Sequence, residues 1–297
     1  APCGKARLGR RWRRRGDSLG RFRPAPPAGI PCRPFPAAAN TFPTKDEMGD
    51  YLESYAAHFA LPVRTGVRVD RVSRVGDRYL VSAGVQRFEA DQVVIAMSNF
   101  QDRRTPAFAL ELDPEIVQIH SLNYRNPAQL RDGGILIVGA GNSGSEIALE
   151  VARAGHATLI SGRNTGAVPF RILSLPARLL LIPIVFRLVF HRILTVDTPI
   201  GRKARPKIIS QGGPLIRVRE KELTRAGVER VPRTEGARNG KPVLADGRVL
   251  DVTNVIWCTG FHPGFSWIDL PVLDACAEPL HHRGLVESEP GLFFVRL

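Results

Sequence analysis

The sequence predicts an α/β fold built on dinucleotide-binding (Rossmann-like) domains. One observation is the stretch "GILIVGAGNSGSEIAL", residues 134–149, in which an apolar run meets closely spaced glycines and then a helical pattern. The other is a pair of stretches, 67–97 and 228–261, in which apolar and polar residues alternate with the period of two that is typical of strands. Glycines between a strand and a helix are the sequence signature of a dinucleotide-binding turn.

The first regular element is a helix that begins after Thr44. Residues 1–43 are rich in Arg, Pro and Gly without a sustained period, which predicts irregular structure. Thr44 is a candidate N-cap, and Glu47 three residues later completes a capping box. The apolar residues that follow at helical spacing are Met48, Tyr51, Leu52, Tyr55 and Phe59.

Further elements follow from the same patterns. The stretch 67–97 predicts a β-meander that ends in a buried strand at Val93–Ala96, and the Pro-containing residues 99–131 predict a connector. The glycine-rich unit predicts a helix over Ser143–Ala154 and a strand over Thr158–Ser161. The stretch 228–261 predicts a second meander that mirrors the first.

The charge distribution argues against a nucleic-acid partner. The net charge is +14, but residues 1–33 hold ten Lys and Arg and one acidic residue. Basicity therefore belongs to one end of the chain and does not characterise the rest. The four cysteines show no metal-binding spacing and no secretory signal is visible, so we expect no metal site and a cytoplasmic protein.

One apolar segment, Leu173 to Leu194, is a candidate membrane-spanning segment. Arg178, Arg187 and Arg192 interrupt it, and it contains two prolines. A charged residue at the bilayer centre costs about 2.5–3.5 kcal/mol on insertion scales. We therefore expect no transmembrane span, and the alternatives are a helix packed in a core or peripheral contact of 173–194 with a membrane surface.

The glycine turn has the GxGxxG spacing that binds a pyrophosphate. Gly139 permits the tight turn, Gly141 lets the backbone approach the phosphates, and Gly144 lets the helix pack close to the strand. The helix N-terminus, which includes Asn142 and Ser143, presents unpaired N–H groups to the anion. These five residues are the expected cofactor-binding residues of the turn, and the alternative is a tight β–α turn without a ligand.

The end of the next strand indicates which dinucleotide binds. NAD sites place Asp or Glu there to accept a hydrogen bond from the ribose 2′-OH. This chain has Ser161 and Arg163 and no carboxylate. A guanidinium pairs with a 2′-phosphate, so we expect NADP(H), with Ser161 and Arg163 among its ligands. The alternative is that Arg163 is an ordinary exposed residue.

From about residue 42 onward the sequence resembles the class B flavin-dependent monooxygenases. It is most similar to bacterial flavin-containing-monooxygenase-like proteins and to plant indole-pyruvate monooxygenases. The segments that carry the resemblance are "VGAGNSGSEIALE", "SGRN", "VPFR", "TVDTPIGRKARPK", "GGPL" and "VIWCTGF", in the family's order. The resemblance implies two Rossmann-like domains, with the NADP domain inserted in a split FAD domain.

The resemblance also implies domain bounds and FAD contacts. We expect a partial FAD-binding domain over 1–110, the NADP-binding domain over 111–250, and a return to the FAD domain over 251–297. Trp12 and Arg15, near the start, and Thr259 and Gly260, in the "CTG" turn, match cofactor-contacting positions of the family. The family's N-terminal FAD fingerprint and C-terminal tail are not found in this sequence, so the chain is expected to be an incomplete copy.

Several departures from the family pattern limit what the resemblance implies. "AMSNF" replaces the commoner Ala-Thr-Gly turn, and of the FxGxxxHxxxY motif only His120 and Tyr124 remain, with Pro114 and Ile116 at the first two positions. His120 either contacts NADP or is a hydrogen-bonded structural residue. Cys258 is expected to pack and not to react.

The three cations Lys203, Arg205 and Lys207 either steer phosphates toward the cofactor site or form a solvated face.

The function that the resemblance implies is an NADPH- and FAD-dependent monooxygenase, in which a flavin hydroperoxide oxygenates a small organic substrate. One alternative is an NADPH-dependent flavoprotein reductase without oxygenation. Another is a non-enzymatic protein that binds NADP, or one that binds nucleic acid through residues 1–33. The substrate and the oligomeric state stay open.

Overall fold

The computed structural model describes residues 29–37, 43–98, 100–167, 192, 195, 198–203 and 214–295. Several positions singled out above lie outside the described residues, namely Trp12, Arg15, Arg205, Lys207 and, apart from Arg192, the segment 173–194. Within the described part of the chain, no helix is both long enough and apolar enough to cross a membrane.

The described residues include helices α1 Lys45–His58, α2 Asn142–Arg153 and α3 Glu220–Arg225, a short helical stretch at 199–203, and 3-10 turns at Ala107–Glu111 and Pro127–Gln129. The described strands are β1 Arg71–Val75, β2 Arg78–Ala83, β3 Gln86–Ala90, β4 Val93–Ile95, β5 Asp102–Arg103, β6 Val117–His120, β7 Ile135–Val138, β8 Thr158–Ser161, β9 Glu229–Val231, β10 Thr234–Arg238, β11 Lys241–Leu244, β12 Asn254–Trp257, β13 Phe261–His262 and β14 Leu292–Phe294.

The chain forms two compact units. Among the described residues, the first unit comprises 29–104 and 260–295, and the second comprises 105–259. The first unit is thus made from two separate stretches of chain. That the first unit binds FAD and the second binds NADP stays a prediction.

Helix α1 of the first unit begins as the sequence predicts. The Thr44 hydroxyl accepts from the Glu47 N–H at 3.2 Å, and the Glu47 carboxylate accepts from the Thr44 N–H at 2.8 Å. This capping box satisfies donors that the first turn would otherwise leave unpaired. The Tyr51 hydroxyl accepts from the Ile30 N–H and donates to the Arg33 carbonyl, so residues 30–33 are fixed against the helix.

The remaining strands of the first unit form small sheets. Strands β1, β2 and β3 make the predicted antiparallel meander. Strand β4 instead pairs in parallel with β14, from the far end of the chain. The expectation of a buried strand at Val93–Ala96 was therefore wrong in part: the strand ends at Ile95, which is buried, while Val94 is 60% exposed.

The second unit contains a five-stranded parallel sheet in the order β6-β12-β7-β8-β9. Its central strands are apolar on both faces because both faces are covered. Ile135 and Ile137 pack toward α2 and α3, whereas Leu136 and Val138 pack toward the 3-10 turn 107–111 and the β10–β11 hairpin. The observed α2 and β8 agree with their predicted positions to within one residue.

Two sequence-based expectations about this unit were wrong. The stretch 99–131 is not only a connector, because it contains β6, an edge strand that pairs with β12. The stretch 228–261 is not a second meander: only β10 and β11 form a hairpin, while β9 and β12 belong to the parallel sheet. A period of two reports a strand, but it does not identify the partner with which that strand pairs.

The buried side chain of Asn254 holds the loop before β7 onto the start of β12. Its amide accepts from the Arg131 N–H at 2.9 Å and donates to the Arg131 carbonyl at 2.8 Å. Replacing Asn254 by Ala removes both partners, so we expect the free energy of unfolding to fall by about 1–3 kcal/mol. Urea unfolding measures this value.

The matched control is Asn123→Ala, which makes the same chemical change at an exposed position. It should change stability by less than about 0.5 kcal/mol. Equal effects of the two substitutions would contradict the structural role given to Asn254.

Candidate functional site

The glycine turn between β7 and α2 has glycine at Gly139 and Gly144 because the chain leaves no room for a side chain. Gly139 has φ +109°, and a Cβ there would lie 2.3 Å from the carbonyl oxygen of Cys258. A Cβ on Gly144 would lie 1.8 Å from the carbonyl oxygen of Gly139. These distances are far inside van der Waals contact, so both glycines are required by the close approach of α2 to the strand ends.

Gly141 is different, because no close approach among the described residues requires a glycine there. Its φ is −76°, which any residue can adopt, and a Cβ built on it meets no atom of the described residues within 4 Å. Gly141 is the N-cap of α2 and no side chain caps the helix. The N–H groups of the first turn, where Ser143 is exposed, are therefore available to an anion that occupies the space over Gly141.

This turn lies at the point where the strand order of the sheet reverses. From β7 the chain continues through α2 to β8 and β9 on one side, while β12 and β6 lie on the other side of β7. In open parallel sheets the crevice at the carboxyl ends of the strands at such a point is the usual ligand site. Gly139 and Cys258, which follow β7 and β12, form its floor.

Cys258 packs under the turn, as the sequence suggested. Burial raises the pKa of its thiol to about 12, and a hydrogen bond with Ser121 opposes this shift only in part. The thiol is therefore protonated at neutral pH, and thiolate chemistry at this position is disfavoured.

The side chain of Asn142 forms hydrogen bonds within the protein, whereas the expected cofactor contact of this residue is through its backbone N–H. Its amide donates to the Pro214 carbonyl at 3.0 Å and accepts from the Ile216 N–H at 2.8 Å. Both hydrogen bonds hold residues 214–216 beside the first turn of α2. Only the backbone of Asn142 remains to contact a ligand.

The side chain of Ser161, which we predicted as a cofactor contact, forms hydrogen bonds within the protein. Ser161 is fully buried, and its hydroxyl donates to the Pro232 carbonyl at 2.9 Å. The same oxygen accepts from the backbone N–H and the hydroxyl of Thr234, each at 2.8 Å. Because these hydrogen bonds use its polar capacity, Ser161 fixes the end of β8 to residues 232–234 and is not a phosphate ligand.

Arg163 lies where a cation could recognise a phosphate, and the structure adds a second cation that the sequence analysis missed. Strands β8 and β9 are parallel, with Ser161 opposite Val231. Arg163 and Arg233 each follow two residues later, so both lie at the same edge of the sheet. Both are exposed, and neither side chain makes a hydrogen bond or ion pair within the described residues. The sequence does show this basic residue just after β9. It can be linked to the site only once the pairing of β8 with β9 is known.

One carboxylate, Glu146, lies on α2 four residues after Asn142. Burial raises its pKa, and the Arg217 guanidinium at 3.9 Å opposes this shift. The nearby guanidinium thus partly offsets the cost of burying this carboxyl group.

The other candidates are placed as follows. His120 is buried and its Nδ1 accepts from the Leu122 N–H at 3.1 Å, which supports the structural interpretation of this residue. Thr259 ends the second unit, and Gly260, with φ +86°, begins the return to the first. Lys203 is exposed. Within the described residues no group of His, Cys, Asp and Glu is arranged to hold a metal ion.

Comparison with known proteins gives consistent matches. Residues 29–169 match the family model of the pyridine nucleotide-disulphide oxidoreductases. An uncharacterized CzcO-like oxidoreductase from Geobacillus kaustophilus is 34% identical over 293 residues, which cover 98% of this chain and 81% of the relative. A probable indole-3-pyruvate monooxygenase, YUCCA9 of Arabidopsis thaliana, is 27% identical over 271 residues, 80% of this chain and 63% of the relative.

A solved structure matches over a similar range. The flavin-containing monooxygenase from Stenotrophomonas maltophilia has 26% sequence identity and a TM-score of 0.68. The match covers 96% of this chain and 78% of the chain in that structure.

The open space over Gly141 leads to a direct test. Gly141→Ala should lower the free energy of unfolding by no more than about 1 kcal/mol, because alanine is the poorer N-cap but the added methyl group meets no atom of the described residues. It should weaken NADPH binding roughly tenfold or more, since each displaced charge-assisted hydrogen bond is worth about 1.5–3 kcal/mol. Quenching or enhancement of NADPH fluorescence gives the dissociation constant.

The matched control is Gly236→Ala, which adds a methyl group to β10 where nothing lies within 4 Å. NADPH binding should not change in this variant. Unaltered NADPH affinity in Gly141→Ala would show that the open space over this glycine does not hold the cofactor.

The raised pKa of Cys258 predicts its reactivity. At pH 8 iodoacetamide should modify the exposed Cys276 quickly and Cys258 very slowly, because only the thiolate reacts. Labelling of Cys258 should accelerate only as the pH rises toward about 12. Mass spectrometry of the peptides measures both rates, and equal rates at pH 8 would contradict the buried, protonated thiol.

Proposed function

Because the chain belongs to the class B flavin monooxygenase-like family of oxidoreductases, whose members use FAD and NADPH, we propose specific roles for its residues in that reaction. The chain is a flavin-dependent oxidoreductase of the monooxygenase type. The proposal concerns where NADPH binds, which residues select it, and what kind of molecule is oxygenated.

The glycine turn of the second unit is the proposed NADPH site. The observation that carries this assignment is the combination of open space at Gly141 with an uncapped helix N-terminus at the sheet switch point. The N–H groups of Asn142 and Ser143 would bind the pyrophosphate, and Gly139 and Gly144 shape the turn. Arg163 and Arg233 would pair with the 2′-phosphate, because they are exposed guanidinium groups at the neighbouring strand ends.

The chemistry of the reaction belongs to the cofactors: NADPH supplies a hydride, and the reduced flavin activates dioxygen for transfer of one oxygen atom. The chain contributes binding and orientation. Cys258 and Ser121 pack at the base of the crevice, so this floor supplies shape and no acid–base group. We identify no catalytic acid–base pair among the described residues of the crevice. This agrees with a chain that binds and orients the cofactors while they supply the chemistry.

The domain assignment follows from the same site. We propose that the second unit is the NADP-binding domain and that the first belongs to the FAD-binding domain. The position of the glycine turn in the second unit supports this proposal, as does the assembly of the first unit from two separate stretches of chain. Thr259 and Gly260, at the boundary, remain proposed cofactor contacts through their backbone. Trp12 and Arg15 remain predictions from the family resemblance.

The proposed substrate is a small organic molecule. Several relatives are named as indole-3-pyruvate monooxygenases, which makes indole-3-pyruvate a suitable first probe for this chain. A reductase without oxygenation and a non-enzymatic NADP-binding protein are not favoured, because relatives from Oryza sativa and Arabidopsis thaliana are named as monooxygenases. The cytoplasmic location and a peripheral membrane contact through 173–194 stay predictions.

Arg163 and Arg233 should determine the preference between NADPH and NADH. Replacing either by Ala should weaken NADPH binding roughly tenfold, because a charge-assisted hydrogen bond to the 2′-phosphate is lost. NADH affinity should stay within about twofold, since NADH has no 2′-phosphate and uses the same glycine turn. The dissociation constants of both cofactors, measured at one fixed ionic strength, give the result.

Arg153→Ala is the matched control, because it removes an exposed cation from the opposite end of α2. It should leave the ratio of the two dissociation constants unchanged. A wild-type chain that binds NADPH and NADH equally would refute the assignment of both arginines.

The activity is tested by the coupling of NADPH consumption to oxygenation. In protein that retains FAD after gel filtration, NADPH and O₂ should be consumed in equal amounts in the presence of a substrate, and the oxygenated product should account for most of the NADPH. Oxygen-electrode and product measurements give the ratio. NADPH oxidation that yields only hydrogen peroxide with every probe would favour the reductase instead.

A further inference from the structure

We propose that Arg230, fixed by Glu220, is a positioning residue that orients the Gly162–Arg163 turn and thereby sets the preference of the protein for NADPH over NADH. This inference rests on the proposed role of Arg163 as a ligand of the 2′-phosphate. It concerns residues that do not contact the cofactor themselves, and it explains how an exposed arginine on a short turn can be held in a defined direction.

Arg230 joins three elements of the second unit. It lies on β9, opposite Ile160 of β8. Its Nε and Nη2 donate to the two carboxylate oxygens of Glu220 at 2.6 and 2.8 Å, and its Nη1 donates to the Gly162 carbonyl at 3.3 Å. A bidentate guanidinium–carboxylate pair has a fixed planar geometry, so Glu220 determines the direction in which Nη1 points.

The carbonyl that Arg230 contacts belongs to the peptide group that leads into Arg163. Gly162 has φ +136°, and a Cβ there would lie 2.9 Å from the backbone nitrogen of Ala140 in the glycine turn. Gly162 therefore lies directly against the glycine turn, and a side chain at this position would collide with it. The hydrogen bond from Arg230 fixes the plane of the 162–163 peptide group, from which the Arg163 side chain starts.

The position before Gly162 is held independently. The buried Ser161 hydroxyl is bonded to the Pro232 carbonyl and to Thr234, as described above. These hydrogen bonds secure the end of β8 to the segment after β9 without Arg230. Loss of Arg230 should therefore loosen the 162–163 turn without detaching β8 from the sheet.

Glu220 is itself well placed to act as an anchor. It is the first residue of α3, and α3 is docked in the core through Leu223, which is buried. The hydrogen bonds from Arg230 lower the pKa of Glu220, so its carboxylate is ionised at neutral pH. The anchor is thus a charged group on a docked helix that orients a cation on a neighbouring strand.

A substitution at Glu220 can distinguish a positioning role of Arg230 from a purely electrostatic one. If only long-range charge mattered, removal of the Glu220 carboxylate would leave Arg230 uncompensated and would strengthen binding of the 2′-phosphate. If positioning matters, the same change releases Arg230 and disorders the turn, so NADPH binding weakens. The two explanations predict opposite signs for one conservative substitution.

The experiment measures the dissociation constants of NADPH and NADH for the full chain and for the variants Glu220→Gln, Arg230→Met and Arg163→Ala. We expect Glu220→Gln and Arg230→Met each to reduce the preference for NADPH roughly three- to tenfold, as is typical of coupling within one hydrogen-bond network. NADH affinity serves as the internal measure of general damage, because NADH binds the same glycine turn. Arg248→Met, which breaks the exposed Arg248–Asp246 ion pair of the same unit, should leave the preference unchanged.

The double variant Arg163→Ala/Arg230→Met completes a cycle. If Arg230 acts through Arg163, its loss has little further effect once Arg163 is absent. An increased or unchanged NADPH preference in Glu220→Gln overturns the inference, and this reading does not depend on whether Arg230→Met folds. If Arg163→Ala itself leaves the preference unchanged, the proposed phosphate ligand is wrong and the inference falls with it, so the two failures are distinguishable.

Discussion

The close approach of helix α2 to the ends of β7 and β12 is the constraint on which the second unit depends. A Cβ on Gly144 would penetrate the Gly139 carbonyl, and one on Gly139 would penetrate the Cys258 carbonyl. Cys258, which follows β12, is partly buried against this turn, and desolvation raises the pKa of its thiol. The same approach brings the uncapped N-terminus of α2 to the carboxyl edge of the sheet, where an anion can reach it.

The sequence predicted this part of the structure well because the signal is local. Three glycines at fixed spacing, an apolar strand before them and an amphipathic helix after them specify one turn. The capping box at Thr44 is local in the same way, since both partners lie within one helical turn. Such features need no knowledge of which elements meet in space, and each was found where it was expected.

The errors arose wherever the answer depends on pairing between distant residues. Strand β6 is short and its partner β12 lies more than a hundred residues away, so its pattern within 99–131 was too weak to separate from a connector. Ser161 has the residue type expected of a phosphate ligand, but the sequence pattern does not show that its hydroxyl bonds to Pro232 and Thr234, 71 and 73 residues later. Arg233 becomes a candidate only when β9 is known to lie beside β8.

At this edge of the sheet, the groups that would bind both cofactors differ from the groups that would distinguish NADPH from NADH. The backbone groups of the glycine turn would bind a pyrophosphate that NADH and NADPH share, so they contribute equally to both cofactors. Discrimination must come from groups that only the 2′-phosphate reaches. Of the arginines here, Arg230 is already paired with Glu220, whereas Arg163 and Arg233 have no partner among the described residues. The Arg230–Glu220 pair is neutral overall, so it adds little to the attraction of a 2′-phosphate. Its fixed geometry can still orient a neighbouring group. Specificity in this unit is therefore expected to depend on the orientation of two unpaired cations more than on the number of cations present.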